Sequence, residues 1–182
     1  MSQLKSKNLS QARLVSVLSR DILKDIVCGD YYFVCVGTEL RSDDAAGLRL
    51  CEFLVARGFP RDRVIMCEFG LENCMSVIQE RSVKNALIID AAIVLGEREG
   101  TPKYFIASLD SIDDTVALVT THSLPIRLVI ELLRREELFK DVRVLGVVAR
   151  NLDLGEGISP EVQDTISFLT DLIIKTLSTC SI

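Results

Sequence analysis

The chain reads as a single α/β layered domain: a mostly parallel, twisted sheet flanked by helices, with an extra helix at the N-terminus. Three observations predict this class. Continuous apolar runs recur at 31–37, 63–69, 85–94 and 142–149, and runs without alternation fit strands buried on both faces. The segments between several of them place apolar residues at helical spacing. Strand–helix–strand alternation within 182 residues describes one layered core rather than two domains.

The elements follow in order. "LSQARLVSVLSRDILKDIV" (9–27) puts Leu14, Val15, Leu18, Ile22 and Ile26 on one helical face, giving a helical extension over 1–30 ahead of a domain over 31–182. "YYFVCVG" is a buried strand ended by glycine. From Asp43 to Arg57, Ala46, Leu48, Leu50, Phe53 and Leu54 line a helix that "GFP" terminates. "RVIMCEF" and "NALIIDAAIV" are the second and third strands, with the short helix "LENCMSVIQER" between them. "KYFIASL" (103–109) follows the third strand too closely for a helical crossover, so it is expected to run antiparallel at an edge. "SLPIRLVIELLRREEL" is a helix with Pro125 in its first turn, and "VRVLGVVA" is another buried strand. The last helix, 159–177, has Ser159 as its N-cap and Pro160 at its first position.

Composition excludes several functions. Lysine and arginine total 21 against 26 acids, a formal charge of −5 with no basic tract, which argues against nucleic acid as the main partner. No apolar stretch approaches the roughly 20 residues that span a bilayer. "MSQLKSKNLSQARL" lacks the apolar centre of a signal peptide, so a cytoplasmic protein without a membrane partner is expected. The six cysteines are scattered with no CxxC pair, and reduced thiols packed as small hydrophobes are the expectation. There is no G-x-G-x-x-G, P-loop or G-x-S-x-G pattern.

In open α/β sheets, ligands bind beyond the carboxyl ends of the strands, and three polar groups fall there. Asp43 and Asp44 follow the first strand, Asp90 ends "ALIID", and His122, the single histidine, opens the helix after the edge strand. Each also has a plain structural reading: a helix-opening acid, an aspartate bonded to turn amides, an exposed histidine. Brought together, two carboxylates and an imidazole suit a divalent metal such as zinc or nickel.

These residues resemble the hydrogenase maturation endopeptidases, which trim a C-terminal extension from the large subunit of nickel–iron hydrogenases. The family pattern glycine–asparagine–x–leucine–x–x–acid–acid–x–x–glycine is matched by Gly37, Thr38, Leu40, Asp43, Asp44 and Gly47, with Thr38 in place of the asparagine. "THSLP" (121–125) looks like the archaeal-type branch, and the family's glycine-rich turn after the second strand appears as Glu68, Phe69, Gly70 and Leu71. The resemblance implies that Asp44, Asp90 and His122 contact nickel presented by a nickel-loaded large-subunit precursor, not a resident ion. It also implies catalysis by Asp43, Asp44 and Asp90, with Asp43 as the candidate general base. Two alternatives stay open: a non-cleaving, metal-sensing chaperone or scaffold of the same fold, and a small-molecule-binding module whose aspartates only cap helices.

Overall fold

The computed structural model describes residues 20–95, 101–108, 116–118 and 126–180. Strands β1 (Tyr31–Gly37), β2 (Val64–Glu68), β3 (Asn85–Val94), β4 (Tyr104–Ser108) and β6 (Asp141–Val148) form one sheet in the order β2–β1–β3–β6–β4. The pairs β1–β2, β1–β3 and β3–β6 are parallel, and β4 runs antiparallel along β6 at the edge, as its short connection requires. A three-residue strand, β5 (Val116–Leu118), pairs antiparallel with the far end of β3, and is too short to leave a pattern in the sequence.

Helices cover both faces. On one side α1 (Arg20–Cys28), α2 (Ala46–Ala56) and α5 (Pro160–Leu177) pack over Phe33, Cys35, Leu87, Ile89, Leu145 and Val147. On the other, α3 (Met75–Glu80) and α4 (Ile126–Arg135) cover Val34, Val36, Ile88 and Val144. Alternate residues of each central strand feed opposite cores, which is why those strands carry no polar face. No helix among the described residues is long and apolar enough to cross a membrane.

The described part of the expected N-terminal helix, α1, is built into the domain. Leu23, Ile26 and Val27 are buried beside α5. Arg63 donates to the carbonyls of Ile26, Val27 and Tyr31 at 2.9–3.1 Å, closing the helix's C-terminal end. Its guanidinium also lies over the rings of Phe33 and Phe59. Residues 1–19 of that expectation lie outside the described residues.

The expectation of reduced cysteines is corrected. All six are paired, as Cys28–Cys180, Cys35–Cys51 and Cys67–Cys74. Packing explains why spacing concealed this: α2 lies on β1, which brings Cys51 onto Cys35, and α1 lies against α5, which joins residues 152 positions apart. The third pair closes the turn between β2 and α3.

A candidate carboxylate site at the sheet's switch point

The chain leaves β1 towards β2 on one side and leaves β3 towards β6 on the other. The crevice beyond the carboxyl ends of β1 and β3 is therefore the topological switch point, where such sheets bind ligands. Asp44 lies in the short 3-10 turn Ser42–Ala45 that follows β1, and Asp90 lies on β3 itself. Both are buried, at 0% and 1% exposure.

Glycines bring the two together. A Cβ on Gly47 would stand 2.4 Å from the carbonyl oxygens of both Val36 and Ile89, so only glycine lets the start of α2 rest on β1 and β3 at once. At Gly37, with φ +150°, a Cβ would meet the Asp44 carbonyl oxygen at 2.1 Å. The spacing of the acids within "GTELRSDDAAG" is thus tied to backbone contact on either side of them. Gly47→Ala is expected to cost about 1–3 kcal/mol by overpacking and to part Asp44 from Asp90. Urea denaturation and a crystal structure of the variant would check both.

The adjacent aspartates do different things. Asp43 Oδ2 accepts hydrogen bonds from the amides of Arg150 and Asn151, at 2.7 and 2.8 Å, and from the Ser159 hydroxyl at 2.8 Å. Its Oδ1 accepts from the Ser159 amide at 2.7 Å. The carboxylate thereby joins the turn after β1 to the loop between β6 and α5. Ser159 does precede Pro160 at the start of α5, but its hydroxyl serves Asp43 and makes no cap bond to its own helix. Further links join the two segments, among them Ser42 N to Gly155 O at 2.9 Å, Gly155 N to Leu40 O at 3.0 Å, Asp43 N to Asn151 O at 3.1 Å and Arg41 Nε to Leu152 O at 3.1 Å. The residue expected as general base is therefore already engaged by four protein donors.

Asp90 is the opposite case. Neither of its oxygens accepts a hydrogen bond of normal geometry among the described residues. Burial holds its pKa well above the usual carboxylate range, the charge of Asp44 raises it further, and the Ala91 amide works the other way. A buried carboxylate beside a second carboxylate is an arrangement that a cation satisfies, since it neutralises the pair. Strand register adds a further cover. Asp90 pairs with Gly146, which pairs in turn with Phe105, and the Phe105 ring lies over Gly146 where a Cβ would stand 2.2 Å from it. Position 146 is thus open to that ring on the face that carries Asp90.

His122 and the "THSLP" segment lie outside the described residues, so the third expected ligand is not placed here. Among the described residues no group of three metal-ligating side chains occurs. Thr38, at the family's asparagine position, is buried and its hydroxyl accepts from the Leu40 amide at 3.3 Å, folding the loop on itself. What sequence reasoning missed is the partner of Asp43. The turn-forming run "RNLDLGEGIS" (150–159) at the same sheet edge was its one available signal.

No protein-family model matches the chain, and no curated protein does. Solved structures do. A [NiFe] hydrogenase maturation protease HycI from Thermococcus kodakarensis KOD1 is similar with a TM-score of 0.67 and 24% identity, over 87% of this chain and 99% of that one. The endopeptidase HycI from Escherichia coli matches at 0.59 and 25%, over 77% and 86%. This chain has the fold of the hydrogenase maturation proteases. A third protein of this fold, the maturation protease HybD from Thermococcus kodakarensis, matches at 0.58 and 21%, over 80% and 97%. The maturation-protease relatives come from an archaeon and a bacterium alike, so the likeness does not single out an archaeal-type branch.

Proposed function

We propose that the chain is an endopeptidase that removes the C-terminal extension from a nickel–iron hydrogenase large-subunit precursor. In this reading the nickel belongs to the substrate, and Asp44 and Asp90, with His122, receive it. One observation supports the proposal: among the described residues neither oxygen of the buried Asp90 accepts a hydrogen bond of normal geometry, and it lies at the switch point beside Asp44 in a fold shared with proteases of this class. A carboxylate kept in that state is costly for stability, and a ligand that supplies positive charge gives the cost a purpose.

The chemistry follows from the parts. Asp44 and Asp90, with His122, would hold the precursor's nickel and so seat the scissile peptide beside the acids, and the ion would supply Lewis-acid polarisation of the carbonyl or of a water. Water adds to the carbonyl carbon, its proton passes to a carboxylate oxygen, and the leaving amide nitrogen takes up a proton as the C–N bond breaks. With its acceptors engaged, Asp43 acts as a positioning residue that fixes the turn carrying Asp44. This reading also places the protein in the cytoplasm, a compartment where disulfides persist mainly in hyperthermophiles.

The test is incubation of purified nickel-loaded precursor with this protein, followed by intact-mass spectrometry. Loss of one defined C-terminal peptide is expected. A stable complex with an uncut precursor would instead establish the non-cleaving scaffold.

A further inference from the structure

Asp90 stands in a row of positions that runs across the sheet. Neighbouring strands lie about 4.8 Å apart, and their paired side chains point to one face. The pairs Asp90↔Gly146 and Gly146↔Phe105 therefore set three positions side by side on β3, β6 and β4. Ile88, Val144 and Phe105 share the core on that face.

Gly146 presents no side chain, and its neighbour takes the room. A Cβ there would stand 2.2, 2.3 and 3.0 Å from Cζ, Cε1 and Cε2 of Phe105. Those atoms are the far end of the ring. The ring thus crosses β6 end-on and brings that end to within about one strand spacing, roughly 5 Å, of Asp90. Phe105 is 3% exposed and Asp90 1%, so the β6 side of the acid is closed. On its other side the acting charge is Asp44, on the turn after β1.

Packing alone does not call for this exchange of volume. Gly146 has no positive φ, so its backbone needs no glycine. Glycine inside a strand weakens it and often marks a place of close approach. A small apolar residue at 146 with a shorter one at 105 would fill the same core. What the pair adds is a rigid ring end beside an acid.

We propose that Phe105 is the positioning residue for Asp90: the ring end over Gly146 keeps the carboxylate from turning towards β6 and leaves it one direction in which to meet a ligand, towards Asp44. A cation seated on Asp90 then meets Asp44 as well, so the site takes one ion between two acids. The inference rests on the peptidase reading for the identity of that ligand, the nickel of the precursor.

Three variants test it. Phe105→Leu ends where the Cδ atoms of the ring end, which keeps apolar mass in the core but vacates the space over Gly146. Gly146→Ala/Phe105→Leu refills that space with a methyl group. Leu133→Ala, on α4, truncates the same core away from the row and serves as control. Crystal structures read the acid directly. The Asp90 carboxylate should turn over Gly146 in Phe105→Leu and return in the double variant. On nickel-loaded precursor Phe105→Leu should lower kcat about tenfold or more, because small misplacements of a reacting group are costly. The double variant should recover most of that loss, and Leu133→Ala should keep the wild-type kcat whatever its melting temperature. An unmoved carboxylate in Phe105→Leu would overturn the positioning role. So would activities that follow melting temperature across the set. If wild type cuts no precursor, the peptidase reading falls, and the crystal structures alone decide for or against Phe105.

Discussion

Replacing Asp43 with alanine should lower the unfolding free energy by about 3–5 kcal/mol. The substitution strands the amides of Arg150, Asn151 and Ser159 and the Ser159 hydroxyl, all bonded to that carboxylate at 2.7–2.8 Å. Bonds to a charged acceptor are the stronger kind, and each buried donor left without one costs about 1–3 kcal/mol, reduced where water can enter. Denaturant melts would give the free energy. Hydrogen exchange would add location, because the three amides should lose protection before the central strands do. Asp44→Ala, one residue along, leaves those four donors bonded to Asp43. A wild-type melt for Asp43→Ala would remove the anchoring role assigned to Asp43.

Asp90→Asn should move stability and activity in opposite directions. Wild-type Asp90 titrates above its unfolded value of 3.8, so the native state binds its proton more tightly than the unfolded chain does. The sign follows: wild type loses stability as pH rises from that unfolded value towards the raised native one, and the loss persists above it. Asparagine does not titrate and escapes the loss. Near neutral pH the variant should therefore be more stable by about 1–3 kcal/mol, worth several degrees in Tm at this chain length, and the gap should close below about pH 4. Cleavage should fall by about a hundredfold or more. Stability gained where activity is lost is the mark of a residue retained for function. Thermal melts of both proteins across pH, beside a cleavage assay, would show it. A variant less stable than wild type at neutral pH would contradict the burial argument.

The layers were legible because they depend on local patterning. Runs such as "YYFVCVG" and "NALIIDAAIV" read as buried strands by their length and β-branched and aromatic content, and the short link to "KYFIASL" favours its antiparallel placement at the edge. The position of Asp44 was legible for the same reason, since the turn after β1 at a switch point is fixed by topology. Asp90, expected to end its strand, instead lies inside β3 with four more strand residues beyond it. The division of labour between Asp43 and Asp44 was not. It depends on amides more than a hundred residues away, and nothing in "SDDAAG" tells which acid faces them. The disulfides escaped for a related reason: Cys35 and Cys51 meet only because a helix packs on a strand, a tertiary fact with no sequence spacing of its own. Phe105 reads in sequence as one more apolar residue of an edge strand, and only the register that sets it over Gly146 brings it beside Asp90.

The central claim is that Asp44 and Asp90 cut a precursor because nickel has been seated in it. The most direct measurement is cleavage of one precursor prepared with and without nickel, followed by intact mass, using wild type, Asp44→Asn and Asp90→Asn. The account predicts loss of a single C-terminal peptide from the nickel-loaded precursor with wild type only. Equal cleavage of the nickel-free precursor, or undiminished cleavage by both variants, would contradict it.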